Sequence, residues 1–436
     1  MTEPTAPSGH PRAAGDESAT GGRPLAGCTV VDLTAALAGP FATLLLAELG
    51  ARVIKVENPR GGETVRNNAP YHGRDGVSLS RRHDDDMSVT LMQRSRGKLG
   101  VTLDLKHPDG RAVFADLVRQ ADVVVDNFAA GTLERLGVGY EFGSAINPRV
   151  IYTSISGFGR QGGPGTGKAM DSIIQALSGV MWTSGAPDDP PVRVGIPLGD
   201  LLAPLYGVIG TLAALHDVRR TGRGTQVDVS MLGALTSFVA AEPFELLESL
   251  GVPQRTGLTV PRLAPFGMFR AGDGYFALCA PTEAFAAGVF EALGRPDLAD
   301  DDRYSSRDRR VVNSTELHGL IGTWAAGRTV AQAVDALSAA GVPAAEVRTP
   351  AEAVRDPLVR ARGEVVPAEH PVYGTVDGVV GPGLPICFGD VPESTEANDQ
   401  PLGPAPLLGE HNDHVYGDIL GYTPEAIADL RARSVI

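Results

Sequence analysis

Between residues 29 and 154, short apolar runs alternate with helix-like segments, and this alternation restricts the fold more than any other feature of the chain. Thr29-Val30-Val31-Asp32-Leu33 reads as a strand, Ala38-Gly39-Pro40 as a turn and Phe41 to Leu49 as a helix that Gly50 ends. Arg52 to Glu57 is then a second strand. Another unit follows: strand Val101 to Leu105, helix Asp109 to Gln120 and strand Asp122 to Asp126, with a further strand at Val150 to Ser154. These strands are continuously apolar, as strands are when helices cover both faces of a sheet. The pattern predicts an α/β fold built on a doubly wound, mostly parallel sheet.

The first unit resembles a nucleotide-binding βαβ motif, down to the acidic Glu57 closing the second strand. Its loop offers one glycine where a dinucleotide fingerprint has three, which leaves a nicotinamide cofactor and an NAD-dependent oxidoreductase with little support. Residues 58–97 read as a long irregular stretch, and the charge run Arg81-Arg82-His83-Asp84-Asp85-Asp86 within it as a solvated loop. Asn127 and Phe128 fall just past a strand's C-terminal end, where open α/β sheets bind ligands. Thr225 to Ser230 is a strand and Leu232 to Leu250 one long helix. Residues 263–346 look like a compact second domain. It opens with a hairpin, Gly267 to Ala280, turning at a type I′-suited Asp273-Gly274, and continues with helices at 283–293, 315–326 and 329–340. After residue 355 come strands at Gly363 to Pro367 and Val372 to Val379, and a final helix from Thr423 to Arg433. The expected organisation is a disordered tail at 1–24, a large domain at 25–230 and a linker helix and loop at 231–262. A small α+β domain at 263–346 and a C-terminal return to the large domain at 347–436 complete it.

A net charge of −14 over 436 residues argues against nucleic acid or an anionic membrane as the main partner, so any anionic ligand needs a local cluster of basic side chains. Cys28, Cys279 and Cys387 lie far apart without metal-ligand spacing and read as reduced residues of a cytoplasmic protein. His411 and His414 are the one close histidine pair, and a solvated turn is favoured over a metal site. No metal is expected. No apolar run reaches membrane-spanning length, and the N-terminal residues lack the apolar core of a signal peptide.

Two carboxylates stand at the starts of helix-like runs. In Gly195-Ile196-Pro197-Leu198-Gly199-Asp200-Leu201-Leu202, Asp200 opens an apolar segment to Leu215. His216, Arg219 and Arg220 sit near its C-terminal end, and Gly222 and Gly224 stop it. Unpaired N–H groups at a helix start keep a carboxylate ionised, and the plainest role for Asp200 is an N-cap. Asp171 opens a second such run, Asp171 to Leu177, so the two carboxylates are candidates for one cleft.

The runs Ala38-Gly39-Pro40, Leu49 to Glu57, Leu103-Asp104-Leu105-Lys106, Asp122 to Phe128, Gly199-Asp200 and Leu408-Gly409-Glu410-His411-Asn412 together resemble the family III CoA-transferases. That group includes formyl-CoA transferase, carnitine CoA-transferase and the α-methylacyl-CoA racemases. The resemblance covers residues 25–436. It implies a Rossmann-like large domain with a smaller inserted domain, in an interlocked homodimer. It also implies an enzyme that moves CoA from an acyl-CoA to a small carboxylic acid, with CoA as substrate and no permanently bound cofactor. Asp200 would be the nucleophile and Asp171 would orient the site or its bound acid. Leu37, Ala38, Leu103, Lys106, Asn127, Phe128, Arg135 and Lys168 match positions that hold CoA in the family. Lys106, Arg135 and Lys168 would supply the positive charge that the chain as a whole lacks.

The chain also departs from the family pattern. Leu37 stands where formyl-CoA transferase has glutamine, and Asn58 where it has arginine. Arg255-Thr256-Gly257-Leu258-Thr259 occupies the place of its glycine-rich loop. Met170 stands where racemases carry a catalytic histidine, and a thioether cannot exchange a proton with an α-carbon. A 2-methylacyl-CoA racemase and a CoA-binding protein without turnover are the alternatives to a transferase.

Overall fold

The computed structural model describes residues 22–163, 169–389 and 402–436. Its centre is a sheet of six strands: β1 (Thr29–Asp32), β2 (Arg52–Glu57), β3 (Lys98–Thr102), β4 (Val123–Asp126), β5 (Ile151–Ser156) and β6 (Gln226–Ser230). All neighbours pair parallel, and their order is 3-2-1-4-5-6. This is the Rossmann order, in which the winding reverses between β1 and β4. The helices that position the site are α1 (Ala38–Glu48), α2 (Val89–Arg94), α3 (Pro108–Gln120), α4 (Asp171–Leu177) and α5 (Leu198–Thr221).

Successive strand residues point to opposite faces, and the core divides accordingly. Val30, Val53 and Val125 pack with Leu45, Leu46, Ala203 and Val218 of α1 and α5. Val31, Ile54 and Val124 pack with Phe114, Leu117 and Val118 of α3 and with Tyr416 on the other face. The doubly wound sheet is therefore as the apolar pattern requires.

Several boundaries differ from expectation for identifiable reasons. Ala38-Gly39-Pro40 is the first turn of α1, not a turn before it; proline is tolerated there because the N–H groups of a first turn have no partner within the helix. β3 begins at Lys98, three residues before the apolar run, because the Lys98 ammonium is buried against the Asp32 carboxylate at 3.0 Å. The 58–97 stretch is not irregular throughout. Tyr71–Gly73, Gly76–Ser78 and Met87–Ser88 form a small antiparallel sheet that leads into α2. The charge run is wound round Asp86, whose buried carboxylate accepts the N–H groups of Arg82 and His83 at 2.6 and 3.0 Å.

The chain forms two compact units. One takes in the described residues within Met1–Ile174, Ile196–Leu235 and Asp356–Ile436, and holds the six-stranded sheet. In it the C-terminal segment runs back along β3. Asn412 accepts from Thr102 N–H at 2.9 Å and donates to Thr102 Oγ1 at 2.8 Å, and Tyr416 donates to the Thr102 carbonyl at 2.7 Å. The Leu408 to Asn412 motif thus supplies hydrogen bonds to a sheet edge. His411 accepts from Gly100 N–H at 3.1 Å, and His414 meets Asp418 at 2.9 Å. The described residues hold no cluster of three or more groups able to hold a metal ion.

The other unit, Gln175–Gly195 with Thr236–Arg355, has an antiparallel sheet of Phe266–Arg270, Tyr275–Cys279 and Ala344–Glu346. Its core is built on Phe276, Phe290, Leu317, Ile321 and Leu337. The hairpin is present, but neither Asp273 nor Gly274 has the positive φ that a type I′ turn needs. Asp273 instead accepts the Val330 N–H at 2.7 Å. The single helix expected over 232–250 is two helices, Met231–Val239 and Phe244–Ser249, and Pro243 stands at the second one's start.

At 24 residues, α5 is long and apolar enough to cross a membrane by length and composition, contrary to expectation. One of its faces is occupied: Ala203, Val208, Ala214 and Val218 are buried in the core cluster that contains the sheet strands.

Candidate active site

The crevice where the sheet winding reverses is bounded by the β1–α1 loop and the end of β4. Asn127, just past β4, accepts the Ala35 N–H at 2.9 Å and donates to the Ala35 carbonyl at 2.7 Å. The loop is held from below by buried charges. Asp32 accepts from the Thr34 N–H, the Thr34 and Thr43 hydroxyls and the Lys98 ammonium, at 2.5 to 3.0 Å. These partners outweigh full burial and hold its carboxyl at about 2. Lys55, also fully buried, pairs with Glu63 at 2.8 Å and donates to the Thr34 carbonyl at 3.1 Å. Glu63 in turn accepts the Ala36 N–H at 2.9 Å, so Ala36 is fixed with a φ of 65°.

The two carboxylates singled out from the sequence lie together, with their roles exchanged. Pro197 stands at the N-cap of α5, and Asp200 lies inside the first turn, capping nothing. The Asp200 carboxylate has no hydrogen-bond partner among the described residues. It is Asp171, buried at the start of α4, that accepts an α5 N–H, that of Gly199 at 2.8 Å. Asp200 is not held strongly ionised, as its helix position predicts. Burial, and secondarily the Asp171 charge, push its carboxyl up to about 6 against the opposing pull of Arg94. Desolvation outweighs the helix terminus here because no N–H points at the Asp200 oxygens.

Arg94 joins these residues in space without a motif to mark it in the sequence. It ends α2, in the stretch read as irregular, and its guanidinium donates to the Ala36 carbonyl at 3.2 Å. A residue whose meaning depends on a carboxylate more than a hundred positions away leaves no local signal.

Three of the expected CoA-holding residues share one cavity. Leu103, Lys106 and Phe128 line a space of about 310 Å³ with Leu33, Val56 and Leu136, largely apolar and open at the strand ends. Asn127 braces the loop that forms its wall. Leu37 and Ala38 are buried and do not line it. Arg135 is exposed, bonded to Thr132 of its own helix at 2.8 Å, and does not line it either. Lys168 lies outside the described residues. Met170 is 78% exposed beside Asp171.

Comparison with known proteins gives this arrangement a context. Residues 25–412 match the description CoA-transferase family III. The chain is 35% identical over 418 residues to succinyl-CoA–D-citramalate CoA-transferase of Chloroflexus aurantiacus, covering 95% of this chain and 98% of that one. It is 37% identical over 390 residues to succinyl-CoA:mesaconate CoA-transferase of Haloarcula hispanica, covering 88% and 93%. Among solved structures, a CaiB/BaiF family protein from Brucella suis superposes with a TM-score of 0.74 at 32% identity, over 91% of this chain and 99% of that one. The Rossmann order here serves neither a nicotinamide fingerprint nor a racemase histidine; the chain belongs to CoA-transferase family III and is an enzyme of that family.

Proposed function

We propose that this enzyme exchanges CoA between small carboxylic acids through covalent intermediates on Asp200. The observation that carries the reading is the Asp200 carboxylate itself: partly buried, without a hydrogen-bond partner among the described residues, and raised to about 6. Such a group is ionised at neutral pH yet poorly solvated, which is what a carboxylate nucleophile needs.

The steps balance as follows. An Asp200 oxygen attacks the thioester carbonyl carbon, the C–S bond breaks, and CoA leaves as thiolate, giving a mixed anhydride. The thiolate attacks the Asp200 carbonyl carbon and expels the donor acid as carboxylate, giving an aspartyl-CoA thioester. The acceptor carboxylate attacks that carbon and releases thiolate, forming a second mixed anhydride. Attack of the thiolate on the acceptor's carbonyl carbon yields the new acyl-CoA and restores Asp200. In this reading Asp171 is a positioning residue, setting the first turn of α5 through Gly199. The apolar cavity at Leu103 and Phe128 takes an uncharged part of CoA, and Lys106 at its rim meets a phosphate.

We also propose a homodimer. Leu205, Ile209 and Leu212 lie at helical spacing on α5 and are 42, 61 and 37% exposed, an apolar stripe suited to a second copy. Ile209→Lys is then expected to lower the mass seen by light scattering.

The test of the main reading is chemical trapping. Acyl-CoA is added, then hydroxylamine, and the modified peptide is mapped by mass. Modification of Asp200 is expected; modification elsewhere, or none during active transfer, overturns the covalent route. Donors and acceptors are best screened from succinyl-CoA with citramalate and mesaconate, the substrates named for two relatives.

A further inference from the structure

Every fully buried or nearly buried basic side chain around the β1–α1 loop has a carboxylate of its own. Lys55 pairs with Glu63, Arg66 with Glu57, Arg96 with Glu48 and Lys98 with Asp32, at 2.6 to 3.1 Å. Arg94 is different. It is half-buried, and among the described residues it forms no ion pair and makes one hydrogen bond, to the Ala36 carbonyl at 3.2 Å. A guanidinium carries five N–H donors in a planar fork suited to a carboxylate, and most of this fork is unused. Its electrostatic partners are Asp200 and Glu63, acting through space. Glu63 is already committed to Lys55 and Ala36. Arg94 therefore faces the Asp200 carboxylate across a gap too wide for a direct pair.

Its position is firm. Val89, Leu91 and Met92 anchor α2 in a buried cluster, and Gln93 donates to the Val380 carbonyl at 2.7 Å. The guanidinium is pinned at Ala36, whose own N–H is held by Glu63. Such a cation is preorganised rather than a surface arginine that happens to point inward.

We propose that Arg94 binds the far carboxylate of the acid substrate, making the site selective for dicarboxylates. This rests on Asp200 being the group at which the near carboxylate reacts. Once Asp200 is acylated its charge is gone, and Arg94 is left as a partly desolvated cation without a counter-ion. A dicarboxylate acceptor restores the balance by pairing its remote carboxylate with the guanidinium, while its near carboxylate attacks the aspartyl carbonyl. A monocarboxylate of equal length puts a methyl group against an unpaired charge, the kind of mismatch on which sites discriminate strongly.

The test uses Asp200→Asn, whose neutral amide stands in for the acylated aspartate and binds without reacting. Succinate and butyrate, which differ by one terminal carboxylate, are titrated into this variant by calorimetry. Succinate is expected to bind at least about tenfold more tightly. Adding Arg94→Ala is expected to bring the two within about twofold, and Arg94→Lys to restore part of the preference. Arg94→Gln, which keeps a polar N–H donor and the stem but no charge, replaces Arg94→Ala if that chain fails to fold. No preference for succinate, including no detectable binding of either acid, overturns the proposal, as does a preference that survives loss of Arg94. Because this readout needs no covalent chemistry, the two readings fail separately. Failed trapping at Asp200 with an intact succinate preference removes only the nucleophile, and trapping without preference removes only the Arg94 role.

Discussion

The carboxylate of Asp171 accepts the backbone N–H of Gly199 at 2.8 Å, and so holds the first turn of α5 from a different helix. Asp200 is left without that duty. One carboxylate takes the otherwise unpaired helix N–H; the next has no hydrogen-bond partner among the described residues and is raised, partly by the charge of the first. Replacing Asp171 by Asn keeps an acceptor for Gly199 and removes the charge, so the Asp200 carboxyl falls. The acidic limb of the pH–rate profile, expected near 6 in the wild type, is then expected to move lower. Asp171→Ala removes acceptor and charge together, leaving the Gly199 N–H unsatisfied. It is expected to lose about 1–2 kcal/mol in urea melts, with a larger fall in kcat than the Asn variant shows.

Asp200 itself should cost stability. Its folded pKa of about 6 lies above the 3.8 of an unperturbed aspartate, so the native chain holds its proton more tightly than the unfolded one. Native stability therefore falls as pH rises from about 4 to 6 and stays lower above that window. Asp200→Asn removes the buried charge. Allowing for partial solvent screening, it is expected to gain roughly 1–2 kcal/mol at pH 8, while abolishing transfer. The gain should shrink to a small remainder at pH 4, where the native Asp200 carboxyl is protonated. Paired thermal melts at the two pH values check it, and a destabilised variant at pH 8 contradicts it.

What could be read in the chain before its fold follows from where the information sits. Val30, Val53 and Val124 announce a sheet covered on both faces, because continuous apolar strands are a local pattern. Gly222, at a φ of 70°, ends α5 where its residue type said it would. β3 starts three residues before its apolar run because Lys98 looks like a surface residue until Asp32 is opposite it. The short strands at Tyr71, Gly76 and Met87 are too brief to carry a period. Asp171 and Asp200 were recognisable as helix-start carboxylates. Which of them caps was not, since the N–H in question lies 28 residues beyond Asp171. Arg94 was invisible for the same reason, its neighbours in space being Ala36 and Asp200.

The ion pair beneath the β1–α1 loop gives a prediction about folding rather than catalysis. Lys98 and Asp32 are both fully buried, and Lys98 also donates to the Pro40 carbonyl and the Thr43 hydroxyl at 3.0 and 2.8 Å. Asp32→Ala strands the ammonium without its anion and is expected to lose about 3–5 kcal/mol. Asp32→Ala combined with Lys98→Met removes both charges and should recover most of that loss. Denaturant melts of the single and double variants measure the coupling, and additive losses would show that the charges are not paired in the folded chain.

Gly39 tests how closely α1 approaches the loop before it. A Cβ built there would stand 2.3 Å from Thr34 Cβ and 2.4 Å from Thr34 Cγ2, and 3.0 Å from Asn127 Cγ. Thr34 cannot swing aside cheaply, because its N–H and hydroxyl both bond to Asp32. Helix propensity favours Ala over Gly by about 1 kcal/mol, but forcing a methyl into filled space costs about 1–3 kcal/mol, and a contact this short lies at the upper end. Gly39→Ala is therefore expected to destabilise despite its helical position. The methyl also pushes on the Asn127 side chain, which ties Ala35 to the end of β4. Relief by displacement would widen the crevice and raise KM for acyl-CoA more than it lowers kcat. A Gly39→Ala enzyme with unchanged melting and unchanged KM would mean that the loop yields more readily than its hydrogen bonds imply.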